Sequence, residues 1–137
     1  MQNGKHVILC IDDDEDIRDS LQVVLEANGY VHHGAATAEE GLRVFRERQP
    51  DLVIVDLMME EVDAGTNFVK ELKLLGSEVP IFMLSSVGDS LSQMTDYAEL
   101  GLSGVLQKPI APDALLALLE ECAVKSRREE RNERVRY

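Results

Sequence analysis

The sequence has little cysteine, no tryptophan and no long hydrophobic run. Only Cys10 and Cys122 could pair, and a chain of 137 residues can bury a core without a disulfide bridge, so we expect two reduced thiols. No run of about 18 apolar residues is present, which argues against a membrane-spanning helix. The first residues lead into a short apolar run without a small-residue cleavage site, so we expect no secretory signal and a cytoplasmic location.

Basic residues are also scarce. Fourteen Lys and Arg stand against 26 Asp and Glu, giving a net charge of −12. This charge repels phosphate backbones and anionic membranes, so we expect neither nucleic-acid binding by this chain alone nor membrane binding. The exception is the segment 125–137, where six basic residues stand against three acidic ones and the net charge is +3.

The hydrophobic pattern alternates between short apolar runs and segments of helical spacing, in a chain of one domain's length. The runs predict five strands, at 7–11, 30–35, 52–55, 81–84 and 105–106. The helical stripes are Ile17, Leu21, Val24 and Leu25; Ala38, Gly41, Leu42 and Phe45; Phe68, Leu72 and Leu75; Leu91, Met94 and Ala98; and Leu115, Leu118, Leu119 and Cys122. Strands that alternate with helices indicate an α/β domain with a parallel sheet covered on both faces. We assign residues 1–124 to this domain and 125–137 to a charged tail, which either extends the last helix or is a solvated terminus.

Polar residues fall where the predicted strands end. Asp12 and Asp13 follow strand one, Asp56 follows strand three, Ser85 follows strand four and Lys108 lies just past strand five. In a doubly wound sheet, ligands bind at the carboxyl ends of the strands where the strand order reverses. If the order is 2-1-3-4-5, strands one and three flank that crevice and three carboxylates converge there.

Converging carboxylates repel one another, so they require protons or a cation. An all-oxygen donor set with few protein ligands suits Mg²⁺, and Mn²⁺ is the alternative. The hydroxyl of Ser85 and the ammonium of Lys108 suit phosphoryl oxygens, and Asp56 would be the nucleophile that forms an acyl phosphate. Taken singly, each residue has a plainer interpretation. Asp12 or Asp13 could cap a helix, Asp56 could lie in a turn, Ser85 could be a cap and Lys108 a solvated charge.

The chain resembles the receiver domain of two-component response regulators over about residues 5–124. The motifs that carry the resemblance are Ile8–Asp14 with Arg18, the run from Pro50 to Met59, the run from Pro80 to Ser85, and Gln107–Pro109. The resemblance implies a flavodoxin-like doubly wound (βα)5 fold with a five-stranded parallel sheet in the order 2-1-3-4-5.

The resemblance also implies a role for each site residue. Asp56 matches the phosphoacceptor, Asp12 and Asp13 match the acidic pair that holds Mg²⁺ with Asp56, and the backbone carbonyl of Met58 matches a further metal ligand. Because three aspartates are consecutive, the acidic pair could be Asp12–Asp13 or Asp13–Asp14. The positions of Arg18 and of the Ile17/Leu21 stripe favour Asp12–Asp13. Ser85 matches the switch hydroxyl and Lys108 the phosphate-contacting lysine, which in this family precedes a cis proline, here Pro109.

Three positions depart from the family pattern. Glu60 stands where the family has proline, and Ala64 stands where it has glycine, with Gly65 following. Val105 stands where the family has its switch aromatic. The first two changes alter the loop after strand three, and the third alters how the phosphorylated state is signalled.

The resemblance implies a signalling module, not an enzyme with a separate substrate. Such a module takes a phosphoryl group from a sensor histidine kinase or a histidine phosphotransfer protein, loses it by hydrolysis and switches an unknown downstream protein. We expect a stand-alone regulator or an excised receiver, with dimerisation through the face of helix four, strand five and helix five as one outcome. The alternatives are a phosphate-independent pseudo-receiver and an aspartate-nucleophile phosphatase. The phosphatase needs an acid/base Asp where Met58 stands, and a flavin carrier would need a phosphate loop where Asp12–Asp14 stand.

Overall fold

The computed structural model describes residues 4–56, 64–85, 103–108 and 110–122. Five parallel strands form one sheet: β1 (Val7–Ile11), β2 (Val31–Ala35), β3 (Leu52–Asp56), β4 (Ile81–Ser85) and β5 (Gly104–Gln107). The helices are α1 (Glu15–Ala27), α2 (Ala38–Arg48), α3 (Ala64–Leu74) and a helix at 112–122, here called the C-terminal helix. The sheet order β2-β1-β3-β4-β5 confirms the predicted topology.

Alternate residues of the central strands supply two separate cores. Leu9, Ile11, Val53 and Val55 face α2 and α3, where Phe68 and Leu72 complete one cluster. The residues between them on the strands face α1 and the C-terminal helix: Ile8, Cys10, Leu52 and Ile54. Every residue of β1, β3 and β4 is buried, as expected for strands covered on both faces, whereas β2 and β5 at the edges are partly exposed.

Helix α2 approaches β1 closely because Gly41 has no side chain. A Cβ atom at this position would lie 2.5 Å from Cδ1 of Ile11 and 3.3 Å from Cε2 of Phe68. The helical spacing predicts Gly41 on the buried face of α2 but does not by itself require a glycine there. The structure shows that this contact fixes α2 against the last residue of β1, immediately before Asp12.

Two details of the helices differ from the sequence prediction or refine it. Leu75, predicted in the buried stripe of the third helix, is 55% exposed beyond the end of α3, and Val69 is buried instead. The predicted capping box at Thr37 forms: Oγ1 of Thr37 accepts a hydrogen bond from the Glu40 amide, and Oε2 of Glu40 accepts one from the Ala36 amide.

The two cysteines, both described, do not form a disulfide. Within the described ranges, no helix is long and apolar enough to cross a bilayer. The predicted helix carrying Leu91, Met94 and Ala98, and the tail 125–137, lie outside the described residues.

His32 on the edge strand β2 predicts a pH dependence of stability. Burial lowers the pKa of this imidazole, an effect that the attraction of Glu26 only partly offsets, and its Nε2 is buried without a hydrogen-bond partner among the described residues. Near pH 6 the unfolded chain therefore binds a proton at this residue that the folded chain excludes, and stability falls as pH drops through about 6.5.

We expect the free energy of unfolding of His32→Gln to fall less steeply than that of the wild type between pH 7.5 and 5.5. One proton can change the slope by at most about 1.4 kcal/mol per pH unit, and the difference between the two proteins should stay below that value. Urea unfolding of both proteins at several pH values measures the difference. An NMR titration of His32 with a midpoint at or above pH 6.5 would show that burial does not act as described.

Candidate functional site

The carboxyl ends of adjacent strands bring the acidic residues together. Asp12 follows the last residue of β1, and its amide donates a 3.0 Å hydrogen bond to the carbonyl oxygen of Ala35 at the end of β2. Asp56 is the last residue of β3, which pairs with β1. The side chains of Asp12 and Asp56 are buried, so their charges interact with little screening by water.

The three consecutive aspartates have three different environments. Asp12 is fully buried, and its Oδ1 accepts a 2.9 Å hydrogen bond from the amide of Asp14. Asp13 is exposed. Asp14 is the N-cap of α1, and its Oδ1 accepts a 2.9 Å hydrogen bond from the amide of Asp16. The capping role considered for Asp12 or Asp13 therefore belongs to Asp14, the residue directly before the helix.

Asp12, Asp13 and Asp56 form the acidic cluster. Each offers one carboxylate oxygen, and the three atoms lie within 4.8 Å of one another. Oδ2 of Asp12 is buried, and the Lys108 ammonium is 3.0 Å from it, so one lysine charge stands against the three carboxylates of the cluster. A small hard cation with oxygen ligands, such as Mg²⁺, fits this donor set.

Lys108 supplies the positive charge beside the cluster. Its Nζ lies 3.0 Å from Oδ2 of Asp12 and 3.2 Å from Oδ1 of Asp56. Burial by itself would lower the pKa of the ammonium, but its contacts with the two carboxylates outweigh burial and raise the pKa above its ordinary value. The lysine is therefore a permanent cation at neutral pH.

Ser85 reaches the same edge of the sheet at the end of β4 and is buried. Its carbonyl oxygen accepts a 2.7 Å hydrogen bond from the amide of Lys108, which fixes the start of the loop that carries the lysine. The structure thus brings Asp12, Asp13, Asp56 and Lys108 into contact distance and places Ser85 on the neighbouring strand. Met58, Glu60 and Pro109 lie outside the described residues, so their predicted roles stay predictions.

The sheet order and the acidic cluster at the carboxyl ends of the strands are those of a doubly wound α/β domain with a candidate cation site. The sequence matches the response regulator receiver domain family over residues 8–120, and the chain belongs to that family. Receiver domains in general bind Mg²⁺ and accept phosphoryl groups from histidine kinases.

Two groups of curated relatives illustrate this membership. The probable transcriptional regulator ycf27 of Pyropia yezoensis is 38% identical over 117 residues, which cover 85% of this chain and 47% of the relative. Response regulator MprA of Mycobacterium sp. (strain KMS) is 36% identical over 110 residues, covering 80% of this chain and 47% of the relative. The chain therefore spans about half the length of the curated relatives it matches.

Solved structures show the same fold. A CheY-like response regulator receiver domain protein from Methanospirillum hungatei superimposes with a TM-score of 0.83 at 28% identity, covering 92% of this chain and 99% of that one. Chemotaxis protein CheY4 of Vibrio cholerae gives a TM-score of 0.79 at 29% identity, covering 87% of this chain and 99% of that one.

Proposed function

We propose that this chain accepts a phosphoryl group on Asp56 in a reaction that depends on Mg²⁺. The phosphodonor is the phosphohistidine of a sensor kinase or a histidine phosphotransfer protein. The observation that carries the proposal is the burial of the Asp56 carboxylate within the acidic cluster, in contact with Lys108. A turn residue or a helix cap would not require this arrangement.

The charges of the site support phosphoryl transfer. The acidic cluster and Lys108 together carry a net charge of about −2, which would repel an incoming phosphoryl group. A divalent cation cancels that charge, and Mg²⁺, when bound by Asp12, Asp13 and Asp56, would supply charge neutralisation for the phosphoryl oxygens. With a divalent cation bound, the site is neutral and no longer repels the negatively charged phosphoryl oxygens.

Each protein group then has one task. A carboxylate oxygen of Asp56 attacks phosphorus, and the bond to the donor nitrogen breaks as the acyl phosphate forms. The ammonium of Lys108 lies beside the attacking carboxylate and stabilises a phosphoryl oxygen. The Ser85 hydroxyl donates to another phosphoryl oxygen and takes a new position in the phosphorylated protein. Attack of water on the acyl phosphate later returns Asp56 to the carboxylate.

Incubation with acetyl phosphate and Mg²⁺, read by intact mass, tests the proposal. We expect one adduct of about 80 Da, absent when EDTA replaces Mg²⁺. A pseudo-receiver would gain no mass, and a phosphatase would release inorganic phosphate continuously instead of accumulating a stoichiometric adduct. Absence of any Mg²⁺-dependent adduct, together with no release of inorganic phosphate, would exclude a phosphoacceptor function.

Lys108 is predicted to couple phosphorylation to the conformational response. In Lys108→Ala we expect phosphorylation to persist at a reduced level, because Asp56 remains, while the response to the phosphoryl group weakens. Amide exchange with and without beryllofluoride measures that response, and we expect it in residues 85–95 and not in β5 around Val105, which carries no ring to move. The exposed Lys70→Ala is the matched control and should respond like the wild type. Exchange that changes around Val105 while residues 85–95 stay constant would contradict this route.

A further inference from the structure

A groove lies at the end of the sheet opposite the phosphorylation site. Its volume is about 530 Å³, and its walls come from the amino ends of β1, β3, β4 and β5 and from the last turn of the C-terminal helix. Tyr30, Phe82 and Leu118 supply apolar surface within it. Cys122, the last described residue, also lines the groove, so the following segment starts at its rim.

The rim of this groove is acidic. Glu78 and Glu121 are exposed there, and Asp51 is held in place because its Oδ2 accepts a 2.7 Å hydrogen bond from the amide of Val7. His6 stands beside them, with Nδ1 3.8 Å from Oδ2 of Asp51. An apolar floor with three carboxylates around it favours an occupant that combines aliphatic or aromatic groups with positive charge.

The residues that follow Cys122 have this composition. The segment 125–137 carries a net charge of +3, whereas residues 1–124 carry −15, and Val124, Val135 and Tyr137 add apolar groups. An extended segment covers about 20 Å in six residues, so the arginines at 127 and 128 can reach any wall of a groove that begins at Cys122. The segment is tethered, which raises its effective concentration at the groove far above that of a separate peptide.

We propose that the basic segment 123–137 folds back and docks in this groove of its own chain, with Arg127 and Arg128 facing Glu78 and Glu121. The contact covers Cys122. It is independent of the phosphorylation site, which lies at the carboxyl ends of the strands. The proposal therefore does not depend on the proposed function.

The rate at which neutral N-ethylmaleimide labels Cys122 in the full chain tests the docking. We expect Arg127→Glu/Arg128→Glu to label at least threefold faster than the wild type at low salt. High salt should accelerate the wild type but not this variant, because it screens the ion pairs. The added negative charges would by themselves disfavour the thiolate and slow labelling, so faster labelling reports exposure. Cys10, which is fully buried, reports global unfolding in the same sample.

Two further variants complete the experiment. Arg43→Glu/Arg46→Glu makes the same charge change on exposed positions of α2 and should label Cys122 like the wild type. Glu78→Lys/Glu121→Lys, combined with Arg127→Glu/Arg128→Glu, should restore slow labelling. Equal rates in the wild type and Arg127→Glu/Arg128→Glu would overturn the proposal and favour a segment that continues the last helix away from the groove. Protection that rises with protein concentration would overturn it in favour of a second molecule's segment.

Discussion

Replacing Asp56 with asparagine is expected to abolish phosphorylation of this chain completely. Asparagine keeps the size of the side chain, but its amide is a poor nucleophile and cannot form an acyl phosphate. Intact mass after acetyl phosphate and Mg²⁺ should show no species heavier by about 80 Da, whereas the wild type shows one. We expect a complete loss because, among the described residues, only Asp12 and Asp56 have buried carboxylates in contact with the Lys108 ammonium. Asp12 is not free to replace Asp56, since its Oδ1 already accepts a hydrogen bond from the Asp14 amide and its Oδ2 lies beside Lys108.

Two controls separate chemistry from folding in this experiment. Asp113→Asn changes an exposed aspartate of the C-terminal helix and should be phosphorylated like the wild type. Ser85→Ala should also gain the adduct, since we propose the serine as a contact of the phosphoryl group and not as its acceptor. An adduct of full intensity on Asp56→Asn would assign the acceptor to another residue.

Asp13→Ala is expected to eliminate binding of Mg²⁺ and, with it, phosphorylation. Asp13 is the exposed member of the acidic cluster, so its removal deletes a proposed ligand without opening a cavity in the core. At a Mg²⁺ concentration ten times the dissociation constant, binding should raise the stability of the wild type by about 1.4 kcal/mol, and that of the variant not at all. Without Mg²⁺ the variant should be more stable than the wild type, by on the order of 1 kcal/mol, because one of three repelling charges is gone.

Thermal unfolding with and without Mg²⁺ measures both effects. Asp19→Ala, which removes an exposed aspartate from α1 outside the cluster, should keep the wild-type response to Mg²⁺. If Asp13→Ala is phosphorylated as well as the wild type, or stabilised by Mg²⁺ to the same extent, Asp13 is not a ligand.

The strands were predictable because burial on both faces leaves a strong signal. The runs at Val7–Ile11 and Leu52–Val55 are continuous and apolar, and the structure shows two helical layers covering them. Helix ends are less determined, because the last turn of a helix can expose an apolar side chain at little cost. This is why Leu75 fits the helical spacing of the third stripe yet lies outside the core.

The sequence was enough to predict which residues lie at the strand ends that form the site. The role of each residue within the site could be assigned only from the distances and hydrogen bonds of the structure. Asp12, Asp13 and Asp14 are chemically identical, and only the hydrogen bonds show that Asp14 caps α1 while Asp12 turns inward. The double contact of Lys108 with Asp12 and Asp56 is likewise a relation between three strands that no local pattern encodes. The close approach of α2 at Gly41 also depends on a residue of another element, Ile11.

Locating the phosphorylated residue shows directly whether Asp56 is the phosphoacceptor of this chain. Borohydride reduces an aspartyl phosphate to homoserine, which tandem mass spectrometry of the digested wild-type protein locates in the sequence. We expect homoserine at position 56 alone, in samples that received acetyl phosphate and Mg²⁺ and not in those with EDTA. Homoserine at position 12 or 13, or a phosphate ester on Ser85, would contradict it.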